Sequence, residues 1–333
     1  MRKLRGLKEN IKKIVYFILF ILFIYLLKTI DFKETFESLK SMNVKYLCLA
    51  LFFQIITIIL VNIQWKSIGR WTGRKIRFMD IFKINCIGNI VDSLTPGVKV
   101  GGELARIYRM ETILKINRTE AIAITGVQKS VSLFSFLILT ILSSLFLFID
   151  KWNKLETFRS IMILSIFISI LFLFITILIF FRPNLSIKYV KRFIKSEKMK
   201  KNIENSIKNY MNISKNIINN RSLLFNQIVL GFVIWLLFAF KLYIVLIGFG
   251  ININFIDIFP ITYITYAIGM IPLLPGSIGS FEASMTFLLK LSSVLVYQGF
   301  MISIVFRFIT FWFEFIISGL YLLLDKLLKR KGL

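Results

Sequence analysis

Histidine is absent from this chain of 333 residues, and cysteine occurs twice, at Cys48 and Cys86. These gaps remove the usual ligands of zinc and haem, the commonest acid–base side chain and any disulfide scaffold. No metal and no cofactor is therefore expected. Cys48 falls inside an apolar run and reads as a small buried hydrophobe, while Cys86 sits in a polar-flecked segment with no partner in view. Acidic residues are also scarce, 17 against 43 Lys and Arg, and no Asp-x-Asp pair occurs to hold a divalent ion.

The resulting net charge of +26 would direct a soluble protein toward nucleic acid. Here no basic patch lies on a segment large enough to fold by itself around a duplex, so no nucleic acid is expected as a partner. What the chain has in abundance is apolar sequence: 57% hydrophobic and 15% aromatic residues, with a mean hydropathy of +0.76. Charge is 18% and gathers between apolar blocks that reach the roughly 20 residues needed to cross a bilayer core. The basic residues then mark cytoplasmic loops facing anionic lipid heads.

The expected fold is an all-α polytopic membrane protein, one integral membrane domain over 1–333. Six segments are apolar enough to cross: about 14–30, 44–63, 121–148, 161–181, 223–249 and 293–324. The first follows Met1-Arg-Lys-Leu-Arg and resembles a signal peptide in charge order, but it lacks a small-x-small cleavage pattern and reads as an uncleaved span. Arg2, Lys3 and Arg5 put the N-terminus in the cytoplasm, and Lys326, Lys329 and Arg330 put the C-terminus there too. The expected location is the plasma membrane, crossed several times. The most basic connection, about 182–222, is also cytoplasmic and amphipathic, and 31–41 reads as a second interfacial stretch.

Two further apolar stretches, 79–110 and 259–290, are interrupted by Pro-Gly. Arg77 and Arg118 both read as cytoplasmic, so the first stretch must enter and return, turning at Pro96-Gly97. By the same reasoning the second turns at Pro275-Gly276 from the opposite face. The two match in sequence. Pro96-Gly97 is followed by Gly101, Gly102 and Glu103, and Pro275-Gly276 by Gly279 and Glu282; a shift of 179 carries Pro96 onto Pro275 and Glu103 onto Glu282. The same shift superposes a first repeat, about 44–149, on a second, about 223–325. Two re-entrant hairpins from opposite faces define an inverted repeat, the plan of secondary transporters with a midplane substrate site.

Several charged residues fall at membrane depth, where each costs roughly 2.5–3.5 kcal/mol on insertion scales. A carboxylate in the first turn of a return helix gains only a small dipole effect. We therefore expect Glu103 to pair with Lys129 and Glu282 with Arg307, with Glu314 competing for Arg307 from two turns along the same face. Lys99, Arg106 and Arg109 follow the first turn and read either as interface charges or, with free backbone N–H groups, as a phosphate cradle. Asn85, Asn89 and Asp92 put a polar stripe on the first hairpin, and Lys241 is a further buried-cation candidate.

The segments SLTPGVKVGGELARIYRM (93–110) and LLPGSIGSFEASM (273–285) resemble the signatures of the lysylphosphatidylglycerol synthase transmembrane family, also called flippase-like or UPF0104. The resemblance covers nearly the whole chain. It implies movement of lipids or lipid-linked sugars across membranes, with membrane lipids as partners, either anionic phospholipids or polyprenyl-phosphate-linked species. The family's soluble aminoacyl-transferase and glycosyltransferase domains are not expected in this chain, so a separate synthase or glycosyltransferase could be its partner. Where the family often shows Glu-Arg in the first long helix, Gln128-Lys129 keeps the cation and drops the acid. The leading expectation is a flippase-like translocase holding an anionic headgroup, more an unreactive carrier than an enzyme. Alternatives are a membrane-embedded transferase using a lipid-phosphate donor and an accessory subunit of a separate synthase.

Overall fold

The computed structural model describes residues 40, 42–70, 73, 75–95, 100–150, 159–181, 197–270 and 277–330. The expected span at 14–30 and the stretch before Lys40 lie outside them. Among the described residues every regular element is helical. In chain order these are α1 (Val44–Arg70), α2 (Phe78–Leu94), α3 (Val100–Ile113), α4 (Arg118–Asp150), α5 (Arg159–Phe181), α6 (Glu197–Asn219), α7 (Arg221–Gly248), α8 (Ile258–Gly269), α9 (Ser280–Leu291), α10 (Val296–Arg307) and α11 (Phe313–Arg330). A π-helical segment, Phe308–Trp312, joins α10 to α11. Among the described residues four stretches are long and apolar enough to cross a membrane: Val44–Arg70, Arg118–Ile149, Arg221–Gly248 and Val296–Leu328.

Helix α1 is inside-out in polarity. On α1 the buried positions include Gln54, Thr57, Asn62 and Gln64, whereas Phe52, Ile55, Ile59 and Ile63 are exposed. Lipid tails solvate an apolar face as well as a protein core does, so in such a helix polar groups turn inward to find partners. Cys48 follows the same rule and corrects the expectation of burial: it is exposed on α1, and Cys86 is the buried cysteine.

The repeat expected from sequence is visible in the packing. Shifted by 179 residues, α1, α2, α3 and α4 fall on α7, α8, α9 and the α10–α11 helix. In each half the two limbs of the hairpin pack together, α2 on α3 and α8 on α9. The first limb then crosses to the other half, α2 lying on α11 and α8 on α4. The equivalent helices α1 and α7 pair directly and run antiparallel. The Asn43 N–H donates to the Gly248 carbonyl (2.9 Å) at one end, and Gln227 donates to Ser67 (2.9 Å) at the other. Equivalent elements running in opposite directions are related by a two-fold axis perpendicular to them, which is the geometry of an inverted repeat.

One feature departs from a simple reading of the sequence. The span expected at 293–324 is not a regular α-helix, because its hydrogen-bond ladder widens to π at 308–312, directly after Arg307. Single-turn π-bulges of this kind are frequent at functional sites. The basic connection contains α6, which lays Tyr210, Ile213 and Ile217 against α4 and turns Lys201, Lys208 and Lys215 outward. Tyr210 is fixed by a 2.8 Å hydrogen bond with Ser130.

Candidate functional site

The first hairpin is built around one guanidinium. Arg106 on α3 is buried, with only 7% of its surface exposed, and does not serve as an interface charge. Its Nε donates to Asn85 (3.2 Å), its Nη1 to Asp92 (3.0 Å) and Glu103 (3.2 Å), and its Nη2 to Asn89. Four hydrogen bonds are thus made from a group with five N–H donors. The stripe Asn85, Asn89 and Asp92 is the matching row on α2, spaced three to four residues so that all face α3.

The cluster is anchored outward in three directions. Asp92 also accepts the Gly102 N–H (2.9 Å), which ties the two limbs together beside the turn. Asn85 donates to Asn62 of α1 (2.9 Å), and Asn89 donates to Glu314 of α11 (2.6 Å). Glu103 reaches Lys129 of α4 at 2.7 Å, the pairing expected from sequence. One oxygen of Glu103, Oε2, is buried without a hydrogen-bond partner.

Close approach of the limbs requires glycine. A Cβ on Gly102 would overlap the Asp92 carboxyl, and one on Gly88 would overlap the Arg106 guanidinium. Neither side chain can swing aside without giving up its ion pair. Gly102→Ala is expected to destabilise the protein by about 1–3 kcal/mol, the usual range for overpacking. Thermal unfolding in detergent micelles reads this directly, and an unchanged midpoint would mean the hairpin is looser than described.

The second hairpin repeats the plan with fewer charges. Glu282 sits in the first turn of α9, where its Oε2 accepts the Gly279 N–H (2.7 Å). Gly279 has φ +85°, a conformation that suits glycine because it has no Cβ. The other oxygen of Glu282 pairs with Arg307 at 3.1 Å, again as expected from sequence. Arg307 also donates to the Ser277 carbonyl (3.3 Å) and lies between the rings of Phe281 (5.0 Å) and Phe311 (5.2 Å). It is 6% exposed, and its Nε has no partner. Cation–π contact with two desolvated rings is worth on the order of 2 kcal/mol, enough to offset part of the burial of the charge.

Not every expected site residue joins these clusters. Pro96, Gly97, Lys99, Pro275 and Gly276 lie outside the described residues. Gly101 abuts the Thr95 side chain beside the first turn. Arg109 is exposed and rests on the ring of Tyr108 (5.8 Å). Glu314 is found accepting from Asn89, which joins it to the first hairpin across the repeat. Lys241 is fully buried between α7 and α1, donating to Gln54 and to Thr57 (3.1 Å) and lying 4.0 Å from the centre of the Phe238 ring.

Residues on α1 were missed by the sequence reading. Asn62 supports Asn85, Trp65 lies 6.0 Å from the Arg106 guanidinium, and Gln64 accepts from Gln128 (3.1 Å). The signal that could have found them is the polar row Gln54, Thr57, Asn62 and Gln64 in an otherwise apolar helix.

Comparison with known proteins places the chain among membrane proteins. The sequence profile of the family described as "Lysylphosphatidylglycerol synthase TM region" matches residues 11–318. The chain is 22% identical over 287 residues to a UPF0104 membrane protein of Methanothermobacter thermautotrophicus, covering 84% of this chain and 85% of that protein. It is 19% identical over 305 residues to a UPF0104 membrane protein of Pyrococcus horikoshii, covering 88% and 91%. A UPF0104 membrane protein of Methanocaldococcus jannaschii is 25% identical over 141 residues, 42% of this chain.

Proposed function

We propose that this chain, which belongs to the lysylphosphatidylglycerol synthase transmembrane family, moves a lipid or lipid-linked intermediate across the membrane. The observation that carries the reading is the doubled arrangement at the hairpin turns. In each half a glutamate just past the turn holds a cation on the following long helix, Lys129 in one and Arg307 in the other. A charge at this depth is expensive and is kept where it meets a substrate or a counter-ion.

Lys129 and Arg307 are the cations best placed for an anionic headgroup. The Lys129 side chain is 38% exposed, so its ammonium can exchange Glu103 for a phosphate oxygen. Arg307 keeps an unused Nε–H, and its planar fork matches two phosphate oxygens at once. Arg106 has a different role in this scheme: with most of its donors already engaged, it holds the first hairpin in shape. Glu103, Glu282 and Glu314 keep the cations in place while the site is empty. Lys99 and Arg109 contribute positive charge beside the first turn. The acyl chains stay in the bilayer against the exposed apolar faces. In this reading the protein lies in the plasma membrane with both termini in the cytoplasm, and its substrate is an anionic phospholipid or a polyprenyl-phosphate-linked species.

Reconstitution tests this. Vesicles carrying the purified protein and fluorescent phosphatidylglycerol are expected to lose fluorescence from both leaflets when an impermeant reductant is added outside. Loss from the outer leaflet alone, with polyprenyl-phosphate probes giving the same result, would reject translocation by this chain alone. Recovery of movement on adding a co-purified synthase or glycosyltransferase would reassign it as an accessory subunit.

A further inference from the structure

The two limbs that cross between halves are not chemically alike. Where α2 lies on α11, the contacts form a polar ladder running antiparallel: Lys83 with Asp325, Cys86 with Ser318, and Asn89 with Glu314. Successive rungs on α2 are three residues apart, about 4.5 Å of helix rise. The innermost rung joins the cluster around Arg106 through Asn89. The opposite limb, α8, has no charged residue, and its Thr262, Tyr263 and Thr265 are fully buried. The aromatic cluster of Phe136, Trp235, Phe238 and Tyr266 fills its surroundings.

The ladder opens at its outer end into a cavity of about 590 Å³. Its lining includes Arg77, Phe78, Asp80, Lys83, Tyr321 and Asp325. The volume falls within the range of small-ligand pockets. Arg77 stands at the rim with its side chain 85% exposed, while Lys83 and Asp325 are 21% and 24% exposed and can be reached from the cavity. Alongside, Leu320, Leu323 and Leu324 of α11 are exposed, an apolar border that suits acyl chains better than water.

We infer that the α2–α11 seam is an entry track for the phosphate-bearing headgroup of a membrane lipid. The cavity is its mouth and the Lys83–Asp325 ion pair its gate. A phosphate arriving at Arg77 competes with Asp325 for the Lys83 ammonium, and the ladder then offers polar steps along α2 toward Lys129 and Arg307. The track rests on the translocase reading for its purpose, but the headgroup site at its mouth can be detected without any transport.

Photocrosslinking separates the two. Vesicles of phosphatidylcholine containing phosphatidylglycerol with a headgroup-proximal diazirine would be irradiated with the full chain, and the adducts mapped by peptide mass spectrometry. Adducts are expected on 77–83 and 321–325. Their yield should fall at least several-fold in Lys83→Gln and rise in Asp325→Asn, which removes the acid of the gate while keeping the side chain's shape. Millimolar inorganic phosphate should leave the yield unchanged. Adducts confined to other helices would overturn the inference, as would parallel changes in the two variants, or full displacement by inorganic phosphate, which would make the cavity a site for the free ion. If the wild type moves no lipid yet the adducts appear and follow Lys83, the translocase reading fails and the headgroup site stands. If the wild type moves lipid and both variants move it at the same rate as the wild type, the track fails and translocation stands.

Discussion

Arg307→Ala is expected to reduce lipid movement in vesicles by on the order of 100-fold, with Glu282→Ala close behind. Removing either partner leaves the other charge buried without its counter-ion, with only the Gly279 N–H left to Glu282 or the Ser277 carbonyl and two rings left to Arg307. The loss is roughly 3–5 kcal/mol of stability, and a share of about 2.8 kcal/mol falling on the transport step is 100-fold. Alanine at 307 also empties the space between Phe281 and Phe311. Arg307→Lys tests the role more finely. Lysine keeps the charge and can still meet Glu282, but it lacks the planar fork for two phosphate oxygens. The lysine variant should therefore fold with a near-normal unfolding midpoint while moving lipid far more slowly. Equal rates for wild type and all three variants would remove this pair from the substrate path.

Arg106→Met should act on folding first. Asp92 and Glu103 would lose their shared cation, and Asn85 and Asn89 would each lose the donor that fills their carbonyl oxygen. A drop of about 3–5 kcal/mol is expected for breaking a buried charge network from one side. The informative variant is the triple change Arg106→Met with Asp92→Asn and Glu103→Gln. It removes the acids left facing the gap, Asp92 with no counter-ion and Glu103 with Lys129 alone, so it should recover part of the lost stability. Urea or thermal unfolding in mild detergent measures both, and a triple variant no more stable than Arg106→Met would show that the cluster is not held by charge.

Much of this architecture was legible because membrane burial leaves few ways to satisfy a charge. Glu103 with Lys129 and Glu282 with Arg307 could be paired from the sequence, since each carboxylate at a turn needs a cation and the repeat offers one at a matching position. Arg106 could not be placed. Its burial depends on how closely α2 approaches α3, which Gly88 and Gly102 permit but no periodicity announces. The link from Asn89 to Glu314 was out of reach for a related reason. It joins residues 225 positions apart across two halves, and only the exchange of limbs between them brings the pair together. The π segment was invisible too, because Phe308–Trp312 has the composition of any apolar helix.

The antiparallel pair at the centre limits how such a molecule can change shape. Lys241 has its ammonium walled in by Gln54 and Thr57 of α1 and by the face of Phe238. Parting α1 from α7 would strand that amine in hydrocarbon, a penalty of several kcal/mol. The two helices are in effect bolted together, and any rocking of the halves has to pivot on them as a fixed axle.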